Sequence, residues 1–397
     1  MKKYVTPVVV ASLSATAACA QSSVTLYGIV DSGLMYQNNG TTVGSAAKGH
    51  SSLKLSPGGW ALNRFGLKGN EDVGAGTSAI FQLESGFNIA NGSSQFAGGL
   101  FTRQAWVGLA NERYGTLTAG RQYTAYFTLL SPYSPALWLT GAGAHPGDID
   151  SLDLSYRANN SLVYMSPAIH GFTFGGSYAF GGVPGSMNAG SAWSAGVQYV
   201  NGPAGIAAAF QRVNNATPGG GAWGENSAVS NGGAQAAVSA INYGYITAQA
   251  QQRVAVTAGY RFSPAWDVSV SYSNVQYIPG LQSAFRDTAI FNTAGTVLHY
   301  KPTPSWDLAA GYSYTRATQA NGISSEAAYQ QVVLSQYYSL SKRTGLYAVE
   351  GYQHARGQTL SGGKVVDATA SIGDSFAASP SSTGNQLGLL VGLNHRF

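Results

Sequence analysis

Val268-Ser269-Val270-Ser271-Tyr272-Ser273 puts apolar side chains on one face of an extended chain and serines on the other. That period-two pattern is the mark of a strand lying between two different environments. Leu308, Ala310, Tyr312 and Tyr314 alternate with Ala309, Gly311, Ser313 and Thr315 in the same way, and Leu387, Leu389, Val391 and Leu393 alternate with Gly388, Leu390, Gly392 and Asn394 before the chain ends on Phe397. In a soluble sandwich the apolar face would be the interior. Here the opposite face is small and polar, which suits a water-filled lumen inside and lipid outside. Composition agrees. Only 9% of the 397 residues are charged, against about 25% in a soluble domain. The chain nevertheless holds 52 Gly, 24 Tyr, 15 Phe and 7 Trp. Mean hydropathy is -0.03, too low for a bundle of transmembrane helices, each of which needs about 20 apolar residues in a row. Abundant aromatics and scarce charge exclude disorder. The expected fold is all-β, a transmembrane antiparallel β-barrel.

The first twenty residues stand apart. Lys2 and Lys3, the apolar run Val5 to Ala18, and Ala18-Cys19-Ala20 make up the charged, apolar and small-residue regions of a secretory signal peptide, cleaved after Ala20. A lipoprotein acylated on Cys19 is the rival; its signal prefers Leu, Val or Ile three residues earlier, where this chain has Thr16. Loss of residues 1–20 removes Lys2, Lys3 and the single Cys, lowering the net charge from +5 to +3 and leaving no disulfide. That balance does not suggest a nucleic-acid partner. Residues 21–397 show no linker or composition break and read as one barrel domain, since barrels grow by adding strands. Short turns such as Glu71-Asp72-Val73-Gly74, Asn201-Gly202-Pro203-Ala204, Ser263-Pro264-Ala265-Trp266 and Pro302-Thr303-Pro304-Ser305 alternate with long polar stretches such as 214–250 and 357–383. Tight periplasmic turns and longer external loops alternate in this way in outer-membrane barrels. Counting runs between them gives about sixteen strands, from near Val24 to Phe397, with an extra hairpin open in 235–250. Pro-x-Trp-Asp occurs twice, at 264–267 and 304–307, placing Trp266 and Trp306 in an interfacial aromatic girdle.

Ser23-Val24-Thr25-Leu26-Tyr27-Gly28, Arg64-Phe65-Gly66-Leu67-Lys68-Gly69-Asn70-Glu71-Asp72, Arg103-Gln104-Ala105-Trp106-Val107-Gly108-Leu109, Ala119-Gly120-Arg121-Gln122, Arg157-Ala158-Asn159-Asn160-Ser161, Tyr164-Met165-Ser166-Pro167 and Gly392-Leu393-Asn394-His395-Arg396-Phe397 follow one another along the chain. In that order the chain resembles a Gram-negative general diffusion porin of the β-proteobacterial type, over essentially the whole mature chain. The resemblance implies a homotrimeric sixteen-stranded barrel in the outer membrane, whose third external loop folds into the lumen and narrows a channel for small hydrophilic solutes and ions. A strand running to a terminal Phe397 resembles the signal read by the barrel-assembly machinery. Outer-membrane lipid and lipopolysaccharide are the other implied partners, and the segment Asn91 to Leu100 is expected to latch onto a neighbouring subunit.

The residues themselves also point to a constriction. The connection from Tyr123 to Ser155 is broken by Pro132, Pro135, Gly141, Gly143, Pro146 and Gly147, holds Leu129, Leu130, Leu137, Trp138 and Leu139, and carries Asp148, Asp150 and Asp153. A long loop with its own apolar residues packs against something. Arg64, Lys68, Arg103, Arg121 and Arg157 lie on the flanking strands. A cation on the lipid face costs roughly 2–4 kcal/mol at the bilayer midplane, so these are expected to point inward. Basic groups on a wall facing acidic groups on a loop would set a transverse field across the narrow point; alternatively, the two sets pair to hold the loop down.

No catalytic site is expected. The six His (50, 145, 170, 299, 354, 395) are scattered, no G-x-S-x-G elbow occurs, and no metal or cofactor is called for. His299 and Ser313 make at most a chance pair, and Gly219-Gly220-Gly221 has no helix after it for a phosphate cradle. Two other functions stay open. One is a substrate-specific channel using Tyr123, Tyr126, Phe127, Tyr133 and Trp138 as an aromatic track for sugars or aromatic acids. The other is a non-conducting structural or adhesin barrel.

Overall fold

The computed structural model describes residues 23–95, 99–153, 156–223, 238–374 and 379–397; the signal-peptide segment 1–20 and part of the segment 91–100 lie outside them. The chain forms strands β1 (Ser23–Gly40), β2 in two lengths (His50–Ser56 and Arg64–Gly74), β3 (Thr77–Gly86), β4 (Gln104–Asn111), β5 (Gly115–Gln122), β6 (Ala158–Met165), β7 (Phe172–Ala179), β8 (Ala192–Asn201), β9 (Ala204–Asn214), β10 (Ala250–Ser263), β11 (Trp266–Ile278), β12 (Ala289–Thr303), β13 (Trp306–Ala317), β14 (Ala328–Ser339), β15 (Thr344–Arg356) and β16 (Asn385–Arg396). Each pairs antiparallel with its neighbours in sequence. β16 closes on β1 in a register running from Ile29–Arg396 to Gln37–Gly388. The result is the closed sixteen-stranded antiparallel barrel expected from the alternation. Closure leaves no open edge, the condition for strands to cross a bilayer with every backbone group paired. Phe397 adds the last rung: its N–H donates to the Gly28 carbonyl and its carbonyl accepts from the Gly28 N–H, both at 3.1 Å.

The faces fall as the alternation requires. On β11, Val270 and Tyr272 are 50% and 49% exposed while Ser271 and Ser273 are buried; on this barrel the exposed face is the lipid face. β16 repeats it, with Leu387, Leu389, Val391 and Leu393 outside and Gln386, Leu390 and Asn394 inside. At the short-turn end the two Pro-x-Trp-Asp turns point Trp266 and Trp306 outward, stacked on Tyr300 (4.1 Å between centroids) and tilted against Tyr338 (4.9 Å). These are girdle positions. Asp267 and Asp307, one residue further on, point inward to His299. Toward the long-loop end of β11 the polarity inverts, with Asn274 and Gln276 outward and Val275 and Tyr277 fully buried.

That inversion corrects one expectation. The interior is not lined by small polar residues throughout. At the outer rim Val275, Tyr277, Phe291 and Tyr329 pack with Trp223, Ile241 and Tyr245 of the 214–250 segment and with Ile149 and Leu360. External loops therefore fill part of the mouth, and apolar wall residues meet them. Within 238–250 the described chain forms a single 3-10 turn, Tyr243–Tyr245, rather than a hairpin. A two-stranded hairpin, Gln358–Ser361 with Lys364–Asp367, stands instead in the last long loop.

Candidate functional site

Between β5 and β6 the chain turns into the barrel as two short helices, α1 (Ala125–Leu130) and α2 (Ala136–Gly143). Glycines on the inner wall mark its track. A Cβ on Gly205 would lie 1.6 Å from the Tyr133 hydroxyl, and one on Gly259 2.5 Å from its ring. Gly175 and Gly196 make the same room for Leu129, Gly311 for Leu139 and Gly295 for His145. Short helices leave carbonyls without intrahelical partners, and inward wall side chains supply the donors. Gln198 Nε2 donates to the Leu129 carbonyl (2.8 Å), Thr257 Oγ1 to Leu130 (3.0 Å), Ser335 Oγ to Trp138 (2.6 Å) and Gln331 Nε2 to Ala144 (2.8 Å). The inner polarity of β8, β10 and β14 serves the loop as much as water.

Beyond α2 the loop is fastened to β10 and β11. Asp150 Oδ2 meets His145 Nδ1 at 2.5 Å and accepts from Ser273 Oγ at 2.6 Å, while the other nitrogen of His145 reaches Ser271 Oγ at 3.1 Å. Arg253 donates to the Ile149 carbonyl (2.7 Å) and Tyr126 Oη to that of Asp150 (2.8 Å). Burial alone would raise the Asp150 carboxyl, but His145 and the Ser273 hydroxyl hold it below the ordinary range. Asp148, also fully buried, accepts the Asp153 N–H at 2.9 Å. Of the three acidic residues expected to face the lumen, Asp148 and Asp150 are therefore built into the loop and its wall contact. Asp153 borders the open space.

The basic residues gather on the opposite side. Arg103 lies fully buried with Nε 2.7 Å from Glu84 Oε1, its other nitrogens donating to Gln95 Oε1 (3.2 Å) and Tyr123 Oη (3.3 Å). Arg157 donates to the same Tyr123 hydroxyl at 2.8 Å, and its guanidinium lies 4.8 Å from the Tyr123 ring centroid. Burial raises the Tyr123 phenol, but Arg157, Arg103 and Arg64 outweigh it and the net shift is downward. Arg121 braces the rim, donating to the Thr102 carbonyl and to Asn159 Oδ1, both at 2.6 Å. Arg64 donates to the Ala61 carbonyl and lines the lumen. Lys68 stands lower on β2, exposed, its ammonium 5.6 Å from the Tyr27 ring. The structure thus groups Arg64, Arg103, Arg157 and, at the rim, Arg121, and sets Lys68 apart.

The open lumen beside α2 is a cavity of about 420 Å³, bounded by β15, β16, β1 and β2 and reached by Arg64, Asp153, Asp374 and Trp60. Phe127 alone of the five aromatics considered as a track borders it. Tyr126 is buried, Tyr133 fills the glycine gap, and Trp138 stacks on His299 at 3.6 Å. His299 is held between Asp267 (2.8 Å) and Asp307 (3.0 Å), which also pairs with Lys301. Sequence reasoning missed Glu84, Trp60 and Asp374, because nothing in a strand pattern shows which inward carboxylate meets an arginine or which loop returns to the lumen.

A family model described as Gram-negative porin matches residues 7–358. An outer membrane porin protein of Bordetella pertussis is 34% identical over 235 residues, 54% of this chain and 60% of that protein, so the alignment spans about three fifths of its relative. Among solved structures, an anion-selective porin from Comamonas acidovorans superposes with a TM-score of 0.66 at 24% identity, covering 95% of this chain and all of that one. The trimer form of OmpT from Vibrio cholerae reaches 0.63 at 15% identity, covering 95% and 99%. The sequence match carries the family, and the two superpositions carry the fold. The chain belongs to the Gram-negative porin family of the outer membrane.

Proposed function

We propose that this barrel is a passive diffusion channel for small hydrophilic solutes and ions, narrowed by the infolded loop and preferring anions. The observation that carries the preference is the unequal placement of charge. Arg64, Arg103, Arg121 and Arg157 cluster on one side of the narrow region, whereas Asp148 and Asp150 are buried in the opposite contact. A low-dielectric channel lined by one sign of charge concentrates ions of the other. Arg64 and Arg396 border the open space together with Asp153 and Asp374; Arg103 and Arg157 tip that balance by adding field from behind Tyr123, and Glu84 offsets part of it. Lys68 contributes lower in the channel. The anion selectivity named for the Comamonas porin points the same way.

The remaining roles belong to the same reading. Residues 1–20 act as a cleaved signal peptide, residues 21–397 form one barrel domain, Phe397 is read by the barrel-assembly machinery, and the lipid face meets phospholipid and lipopolysaccharide. A homotrimer is supported by the wall height. β4 to β7 have eight residues each, about 27 Å of strand. Tilted by about 40°, such a strand rises roughly 20 Å, short of the ~25 Å apolar band. A neighbouring subunit would cover that low wall.

The test is purified protein in a planar bilayer under a salt gradient. Ohmic steps closing in three equal levels, with a reversal potential of anion-selective sign, are the expected result. A cation-selective sign would overturn the assignment of the arginine side, and absence of conductance would overturn the channel.

A further inference from the structure

The second wall strand is broken. Between its two lengths, residues 57–63 leave the wall and turn into the lumen, with Gly58 at φ +114° and Leu62 at φ +58°. Asp31, fully buried on β1, holds this excursion. Its carboxylate accepts the backbone N–H groups of Gly59 (3.3 Å), Trp60 (2.8 Å) and Ala61 (2.7 Å), and the Tyr347 hydroxyl at 2.6 Å. Its own N–H donates to Asn63 Oδ1 at 2.6 Å. Three consecutive amides converging on one carboxylate form the concave anion site that turns of this kind offer. Here the anion is the chain's own.

Two groups at the lumen depend on that grip. The Trp60 indole is set against Tyr337 and Tyr347, 4.7 and 5.7 Å between centroids, and the Ala61 carbonyl accepts from the Arg64 guanidinium. Trp60 and Arg64 border the same open space as α2.

We propose that Asp31 is a positioning residue of the channel: by holding residues 57–63 folded inward across from α2, it sets the aperture through Trp60 and aims Arg64. The barrel wall thereby supplies a second constriction element, separate from the infolded loop. This rests on the channel reading above. An Asp31→Asn side chain keeps the shape but loses the charge and one of the two acceptor oxygens that share the three amides and Tyr347, and charge-assisted bonds of this kind are the stronger ones.

The test compares wild type, Trp60→Ala, Asp31→Asn and Tyr347→Phe, each purified as a heat-modifiable barrel, in planar bilayers. Trp60→Ala is expected to raise single-channel conductance, and Asp31→Asn to raise it and also move the reversal potential toward zero as Arg64 loses its fixed direction. Tyr347→Phe should move both less. A merely structural Asp31 would lower heat stability with the reversal potential unmoved or, through loss of a negative charge alone, moved to more anion-selective values; either would overturn the proposal, as would wild-type conductance in Trp60→Ala. If Asp31→Asn fails to assemble, Trp60→Ala and Tyr347→Phe decide it. A silent wild type would instead overturn the channel reading itself.

Discussion

Two sides of the same barrel meet the same infolded loop and treat it differently. From β7 to β14 the wall offers glycine gaps to Leu129, Tyr133, Leu139 and His145, and Gln, Ser and Thr donors to the loop's carbonyls. Around β2 to β6 it offers guanidinium groups, which converge on the loop's own Tyr123, and one balancing carboxylate. Inward polarity by itself therefore does not identify a channel lining. On one side it satisfies buried backbone, whose unpaired groups would each cost about 1–3 kcal/mol; on the other it gathers three guanidinium groups around one carboxylate and the Tyr123 hydroxyl.

The comparison breaks most sharply at Asp150. Asp150→Ala leaves His145 without its carboxylate partner and Ser273 without its acceptor in a fully buried site. Removing one member of a buried pair costs about 3–5 kcal/mol. We expect the heat-modifiable folded band to be lost at a lower temperature on unboiled gels, with noisier and larger conductance as the loop loses its outer fastening. The opposite side answers differently. Neutralising Arg64 and Arg103 together removes two positive charges without touching the glycine-lined contact. If each guanidinium contributes about one kT at the narrow point, each ion's weight changes roughly threefold in opposite directions, and the anion-to-cation permeability ratio falls roughly sevenfold per charge. Reversal potentials in the double mutant measure it, and unchanged values would end the assignment of these two residues to selectivity.

A smaller effect is expected at Trp138, where α2 stacks on His299. Stacked aromatic pairs contribute about 0.5–1.5 kcal/mol beyond burial. Trp138→Ala should increase open-channel noise while the reversal potential stays that of wild type, since the residue carries no charge and lies against β12 rather than the arginines. A selectivity change in Trp138→Ala would mean that the two sides are coupled through α2.

The alternation Val268 to Ser273, the Pro-x-Trp-Asp turns and the spacing of short and long connections made the barrel and its girdle legible in the sequence, because a two-faced wall imposes period two on every strand; the infolding of the 123–155 connection was implied by the family resemblance, and that loop's own apolar residues agreed with it. Arg64 and Arg103 were legible for a related reason, as cations with nowhere else to go. The fate of Asp148 and Asp150 was not. Whether a loop carboxylate faces water or a wall serine depends on where Ser271, Ser273 and His145 meet across more than a hundred residues of chain. The glycines at 205, 259 and 311 were visible as letters, yet their purpose appears only once Tyr133 and Leu139 lie over them. Asp31 was hidden too, since a buried aspartate in a strand gives no sign that residues 57–63 will fold onto it.

Acid sharpens the contrast with the least expected effect. The Asp150 carboxyl is held below its ordinary value of 3.8 in the folded barrel, His145 and Ser273 together outweighing burial. A group whose folded value is depressed contributes stability that is complete above its unfolded value and lost only as pH falls through the folded one. Between pH 8 and about pH 4.5 the fastening contributed by Asp150 should therefore not change, and wild-type conductance noise should stay flat. Below that range protonation of Asp150 should loosen the contact with β11, so that wild type comes to resemble Asp150→Ala, while Asp150→Asn, having no proton to gain there, should be noisy throughout and respond less to acid. Noise rising in wild type already between pH 7 and pH 5 would locate the controlling titration in a group other than this carboxylate, and would transfer the outer fastening of the loop from Asp150 to that group.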